Sequence, residues 1–163
     1  MNTNQFILIM ILVLMLFQVF YFYPKISEPF GAKFNKDGDI LQSTSSTGFL
    51  VQGLLSPLLI AFIFLIIPAN LNKFSTKTWN IPNKEYWLTD DRKEETYNYI
   101  SLKMNLLGIV FAGMILIAQQ VPINKNIPFY SIEIPGMNMA IGLFLFFLFI
   151  WLGDFILHFR RVK

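Results

Sequence analysis

Cysteine is absent from the chain and histidine occurs once. The first absence excludes structural disulfides, thiol chemistry and thiolate metal sites. The second leaves little from which to build a nucleophile–base pair, because His158 lies at the end of an apolar run. No HExxH, GxSxG or phosphate-binding glycine loop occurs. No enzyme activity, cofactor or metal site is therefore expected. Charge is scarce as well. Asp, Glu, Lys and Arg make up 14% of the 163 residues, where a soluble domain carries roughly a quarter. A net charge of +3 gives no reason to expect a nucleic-acid partner.

What is present is apolar and clumped. The chain is 55% hydrophobic with eighteen Phe, and its apolar residues form long runs, which is the membrane signature. Four spans are predicted, over residues 6–23, 49–71, 100–121 and 139–158. The first follows MNTNQ, which lacks the basic start of a signal peptide, and reads as an uncleaved helix. Tyr21 and Tyr23 suit an interfacial belt, and Pro24 ends the span. Ser56-Pro57 predicts a kink in the second span, and Pro68 marks its far end. Thr89 or Asp90 is the predicted N-cap of a helix running through Glu94 and Tyr97 into the third span. Gly108 and Ala112 form a small-xxx-small pair that permits close helix contact. Pro122 is the predicted stop of the third span. The expected fold is thus an all-α integral membrane protein, one domain of four transmembrane helices in two helical hairpins.

The connections differ in character. In the first, residues 24–48, Asn35 to Gly38 suit a type I turn followed by a glycine at positive φ, predicting a small β-hairpin-like loop. Gln42 to Gly48 reads as irregular. The middle loop, residues 72–99, contains WNIPNKEYWL. The third, residues 122–138, carries Pro128 and Pro135, with Lys125 and Glu133 as its only charges. Lys and Arg set the orientation. Lys25, Lys33, Lys36 and Lys125 fall on one side. Lys73, Lys77, Lys84, Arg92, Lys93, Lys103, Arg160, Arg161 and Lys163 fall on the other. The positive-inside rule then predicts cytoplasmic N- and C-termini, a cytoplasmic middle loop and an extracytoplasmic hairpin, in the cell inner membrane.

Two stretches resemble a bacterial membrane family, the domain-of-unknown-function family 1648, whose domain also forms the front of SdpI-type toxin-immunity proteins. Tyr23-Pro24, Phe34-Asn35, Gly38 and Gly48-Phe49 match the pattern that follows its first span. Asn80-Ile81-Pro82-Asn83-Lys84-Glu85-Tyr86-Trp87-Leu88 matches its N-[IV]-PNK-x-YWL segment. The motif order covers roughly the whole chain. Lys33 occupies the family's histidine position, and Leu41 and Ser43 stand at its later acidic and tryptophan positions, so no role for that histidine carries over. The resemblance implies recognition of something at the outer surface, an analogy at the level of fold.

Several residues are candidates for function. Asp154, with His158 one turn later, is an ionisable group in a span and so a suspect for proton relay or substrate contact. The plainer reading is pairing with His158 or a nearby Lys or Arg close to the interface. Gln18, Gln52, Asn105, Gln119 and Gln120 could line a path, but more often such residues tie helices together. Asn35, Asp37 and Asp39 resemble part of a calcium loop, yet Gly38 is misplaced and Ser46 stands where the twelfth-position Glu belongs. Trp79, Asn80, Pro82, Asn83, Lys84, Tyr86 and Trp87 form either an interfacial aromatic segment or a docking surface. The expectation is a protein that acts by binding in the lipid bilayer. It would be an accessory or regulatory subunit, or an immunity-like partner of another membrane protein, or a homo-oligomer. The alternative is a component of a small-molecule or proton/ion transporter using Asp154.

Overall fold

The computed structural model describes residues 2–35, 39–127, 129 and 137–161. Helix α1 (Thr3–Phe22) begins before its apolar run because Asn2 and Gln5 form a capping box. The Asn2 side chain accepts from Gln5 N at 2.8 Å, and the Gln5 side chain accepts from Asn2 N at 3.0 Å. Two otherwise orphaned amides are thereby satisfied. A 3₁₀ turn over Tyr23–Lys25, with Pro24 inside it, closes the helix.

Strands β1 (Phe30–Phe34) and β2 (Ile40–Thr44) pair antiparallel, so the predicted hairpin is present. The apex residues Lys36, Asp37 and Gly38 lie outside the described residues, as does most of the predicted turn. Asn35 and Asp39 close its base, with Asn35 N donating to Asp39 O at 3.0 Å. The register shifts on either side of Lys33, leaving Ala32 and Leu41 without ladder partners. Such bulges add twist to a two-stranded ribbon. The stretch from Gln42 to Gly48 is not irregular. Its first residues complete β2, and α2 (Ser46–Ala61) begins immediately after. Ser45 caps that helix by accepting from Gly48 N at 3.0 Å. Glu28 reaches back to the same end, accepting from Ser46 N at 2.9 Å and Ser46 Oγ at 2.6 Å. These two donors hold the Glu28 carboxyl below its ordinary range.

The second span departs from its predicted geometry. The α-helix passes Pro57 and widens only later, in a π-helical stretch (Phe62–Ile66) followed by α3 (Ile67–Ala69). Pro57 is buried in the bundle, so packing holds the helix where one backbone donor is missing. The π-helical stretch re-aims the helix face and buries Phe64.

The middle connection is largely ordered. Two 3₁₀ turns (Leu71–Lys73 and Thr76–Thr78) lead to the one-turn helix α4 (Lys84–Trp87) and then to α5 (Lys93–Asn126). Neither Thr89 nor Asp90 caps α5 as expected. Arg92 holds that position without a side-chain cap. Thr89 instead uses its carbonyl, which accepts from Arg92 N at 3.0 Å and Lys93 N at 2.9 Å. Asp90 pairs with Lys93 at 2.6 Å on the surface. Helix α5 does run directly into the third span, as predicted, but it does not stop at Pro122 and continues another turn to Asn126. Tertiary contact overrides the proline there, because Ile123 is fully buried among Val19, Phe22, Phe30 and Phe49. Helix α6 (Met137–Arg160) supplies the fourth span. Pro128, Glu133 and Pro135 lie outside the described residues, as does Lys163.

Four helices are therefore long and apolar enough to cross a membrane, and the chain is a multi-pass, membrane-embedded protein. Its core joins α1, the second span and α5 around Leu8, Leu12, Met15, Ile60, Phe64 and Ala112. Gly108 and Ala112 do mark a close approach, for a Cβ on Gly108 would lie 2.6 Å from Phe64 Cβ and 2.9 Å from Leu8 Cδ2. Helix α6 packs along α5. Phe144 meets Phe111 at 5.6 Å, and Trp151 Nε1 donates to Lys103 O at 3.0 Å. Its other face is apolar and exposed, with Phe149 78% accessible, as suits a helix bordering lipid. The hairpin lies at one end of the bundle. Both described chain ends and the 79–88 segment lie at the other.

Candidate functional sites at the two ends of the bundle

At the loop end, WNIPNKEYWL folds onto the last turn of α6. A helix leaves its final four carbonyls without internal partners. Here two side chains from the segment supply donors. Asn83 Nδ2 donates to Phe159 O at 3.0 Å and Arg160 O at 3.2 Å, and Trp87 Nε1 donates to Phe159 O at 2.9 Å. The chain turns to reach them at Asn83 itself, which has φ of 52°, a left-handed conformation that asparagine tolerates better than most residues. Pro82 precedes it, and Asn83 O then accepts from Tyr86 N and Trp87 N to start α4. Thr96 Oγ1 donates to Trp87 O at 2.8 Å, tying the segment to α5 as well.

Aromatic rings fill the space between these bonds. The His158 ring stacks on Tyr99 at 3.6 Å and on Trp87 at 4.9 Å. Phe159 is fully buried beneath them. Trp79 meets Tyr97 edge-on at 5.4 Å, and the Arg92 guanidinium covers Tyr86 at 4.1 Å. Lys84 Nζ donates to Lys77 O at 2.7 Å, while Asn80 is exposed. The segment is thus neither a free loop nor wholly a docking surface. Asn83 and Trp87 are engaged within the chain, and Asn80, Glu85 and the rims of Trp79 and Tyr86 remain outside.

Asp154 belongs to this end too. Its carboxylate pairs with Lys103 Nζ and lies 3.5 Å from Tyr99 Oη. Its partner is thus a neighbouring lysine, and His158 is engaged in ring stacking. The Asp154 side chain is 56% exposed. A pocket of about 340 Å³ opens beside it, with Arg92, Glu95, His158 and Arg161 among its walls.

The polar residues inside the spans largely bond to one another. Gln18 Nε2 donates to Gln120 Oε1 at 2.6 Å, and Gln120 Nε2 to Asn124 Oδ1 at 2.6 Å, joining α1 to α5. Asn105 Nδ2 reaches Ser101 Oγ at 3.5 Å. Gln119 Nε2 donates to Ser56 Oγ at 3.3 Å, joining α5 to α2.

At the hairpin end, a cleft of about 890 Å³ lies between α2 and α5 with the hairpin as its roof. Lys33, Asn35 and Lys125 stand at its mouth, and Gln52, Ser56 and Gln119 line its interior. The motif residues Phe34, Asn35 and Phe49 line it also, together with Lys33 at the family's histidine position. No Asp or Glu is among the described lining residues. One residue that sequence reasoning passed over holds the roof in place. Asn126 Oδ1 accepts from Gly31 N and Asn126 Nδ2 donates to Gly31 O, both at 2.8 Å. The side-chain amide acts as a third strand one residue long. No periodicity or motif marks Asn126. Only its place in the extra turn of α5 beyond Pro122 gives it this reach. Asn126→Ala is expected to release β1, raising amide exchange across residues 30–34 by about tenfold, since each lost bond is worth about 1 kcal/mol. Exchange at the loop end serves as the internal reference.

Among the described residues, no three acidic or histidine groups come together as a metal site. Comparison with protein-family models, with curated proteins and with solved structures gives no match to this chain.

Proposed function

We propose that this protein acts by binding, as an accessory subunit or immunity-like partner of another membrane protein, and that the hairpin-roofed cleft is its recognition site. The observation that carries this reading is the cleft itself. It is large enough for a ligand or an inserted side-chain cluster. Its described lining offers lysines, amides and a hydroxyl, and no nucleophile beside a base. The family resemblance supports the same reading, because its hairpin motif contributes Phe34 and Asn35 to the lining. The distribution of Lys and Arg supports a bacterial inner-membrane setting, with the cleft opening outside and both chain ends in the cytoplasm.

The test is a mild-detergent purification of the native chain from its own membrane, with mass spectrometry of what accompanies it. A stoichiometric membrane protein is expected, and Lys33→Glu combined with Phe34→Ala should reduce its recovery severalfold. Recovery of the chain alone overturns the subunit reading. A transport role drew on Asp154, and the Lys103 pair and the exposure of that carboxylate supply a structural use for it instead.

A further inference from the structure

The cleft has a polarity order along its depth. The mouth carries two cations, Lys33 on β1 and Lys125 near the end of α5. No described carboxylate pairs with either, since the described ion pairs are Lys93–Asp90 and Lys103–Asp154. About a turn and a half further along α5 comes a band of neutral polar groups, Gln52, Ser56 and Gln119. Ile115 and Ala118 then make an apolar wall. Cation, amide and hydrocarbon follow one another from the mouth inward.

The amide band is incomplete in one direction. Ser56 Oγ donates its proton to Gln52 O at 2.7 Å. It can therefore only accept from Gln119, which fixes that amide with Nε2 toward Ser56. Gln119 Oε1 is then buried with no donor facing it. A buried carbonyl without a donor is costly. The band calls for a ligand that gives a proton, and an ester carbonyl cannot do so.

We propose that the cleft binds an acidic lysophospholipid. The phosphate would lie between Lys33 and Lys125, the free glycerol hydroxyl would donate to Gln119 Oε1, and the single acyl chain would run along Ile115 and Ala118. A diacyl lipid offers the same anion but only ester acceptors at the level of Gln119. A zwitterionic lysolipid offers the hydroxyl but adds a cation beside two lysines. This inference rests on reading the cleft as a binding site and gives that site its ligand class.

The test uses the full-length chain in mild detergent. Binding is measured by native mass spectrometry for lysophosphatidylglycerol, lysophosphatidylcholine and diacyl phosphatidylglycerol, the two lysolipids having the same acyl chain. Lysophosphatidylglycerol should bind roughly tenfold or more tightly than lysophosphatidylcholine, as two lysines near an anionic headgroup provide. It should also bind severalfold more tightly than the diacyl lipid. The exposed pair Lys33→Gln and Lys125→Gln should erase the headgroup preference. Lys73→Gln with Lys77→Gln, which removes equal charge from the other end, should keep it. Gln119→Leu should erase the preference over the diacyl lipid and leave the headgroup preference intact.

Equal binding of both lysolipids overturns the proposal, as does a headgroup preference that survives the Lys33/Lys125 pair. Displacement of the lysolipid by millimolar inorganic phosphate would mean that the anion alone is recognised, and overturns the lipid. A chain that captures a protein partner but shows no lysolipid preference fails this inference alone. A chain that takes neither fails the binding reading as well.

Discussion

Trp87→Ala is expected to open the loop end of the bundle and to cost about 3–5 kcal/mol of stability, as truncation of a buried Trp generally does. The ring is 8% exposed, and three separate connections meet on this residue. Its indole N–H satisfies Phe159 O, its face stacks on His158, and its backbone carbonyl accepts from Thr96. Removing the side chain leaves a cavity and returns an unpaired carbonyl to the end of α6. Trp87→Phe separates the two effects. It keeps the stack and loses only the hydrogen bond, so the expected cost falls to about 1 kcal/mol. Asn83→Ala should resemble Trp87→Phe, with an added penalty because alanine tolerates the left-handed conformation less well. The measurement is denaturant unfolding in mild detergent, with hydrogen exchange at residues 155–161 to locate the loss. Uniform exchange along α6 in Trp87→Ala would show that this segment does not fasten the helix.

Gly108→Ala is expected to destabilise the bundle by about 1–3 kcal/mol, the usual cost of forcing a group into a packed contact. The direction runs against helix propensity, which favours alanine over glycine by about 1 kcal/mol. The reason is distance. The new carbon would lie 2.6 Å from Phe64 Cβ and 2.9 Å from Leu8 Cδ2, so the second span and α1 must both withdraw from α5. Gly108→Leu should prevent the three helices from closing at all. Gly113, one and a half turns further along α5, is the matched control. A Cβ there meets nothing within 4 Å, so Gly113→Ala should leave stability unchanged or raise it slightly. Melting temperatures in one detergent, with size-exclusion profiles for Gly108→Leu, check the pair. If both alanine variants behave alike, close packing at Gly108 is not what holds α5.

Both results would bear on function through position. Gly108 lies in the packed middle of α5, Trp87 fastens the loop end, and the cleft lies at the far end of α5 and α2. Asn126 is the local device there, because it holds the roof. Variants at Trp87 should therefore leave lysolipid preference largely intact, while Asn126→Ala should weaken it by letting Lys33 move away from Lys125.

Much of the architecture was legible because a membrane span is a property of a run of residues. Every backbone group in lipid must bond within its own helix, so length and apolarity suffice to place a span. Gly108 and Ala112 were legible for a similar reason, since small residues four apart always share a face. The prolines were less so. Pro57 and Pro122 predict a kink and a stop from local chemistry, but neighbouring helices bury both regions and carry the helix past them. The N-cap expected at Thr89 or Asp90 failed because three further residues turn before α5 begins, and Thr89 contributes a carbonyl instead of its side chain. The irregular reading of Gln42 to Gly48 failed because Ser and Thr serve a strand and a helix cap as readily as a loop.

The sequence by itself determined four apolar helices, a hairpin after the first of them, and a polar segment between the second and third. Each follows from patterns within a dozen or so residues of chain. Only the tertiary structure decided where the side chains of those polar segments go. Asn83 and Trp87 meet a helix end more than seventy residues away, and Asn126 meets Gly31 ninety-five residues away. Lys33 and Lys125 come to one mouth, and Gln119 is left with a carbonyl that faces no donor. Hydrogen bonds depend on position and direction within a few tenths of an ångström, and chain order does not encode either until the helices have packed.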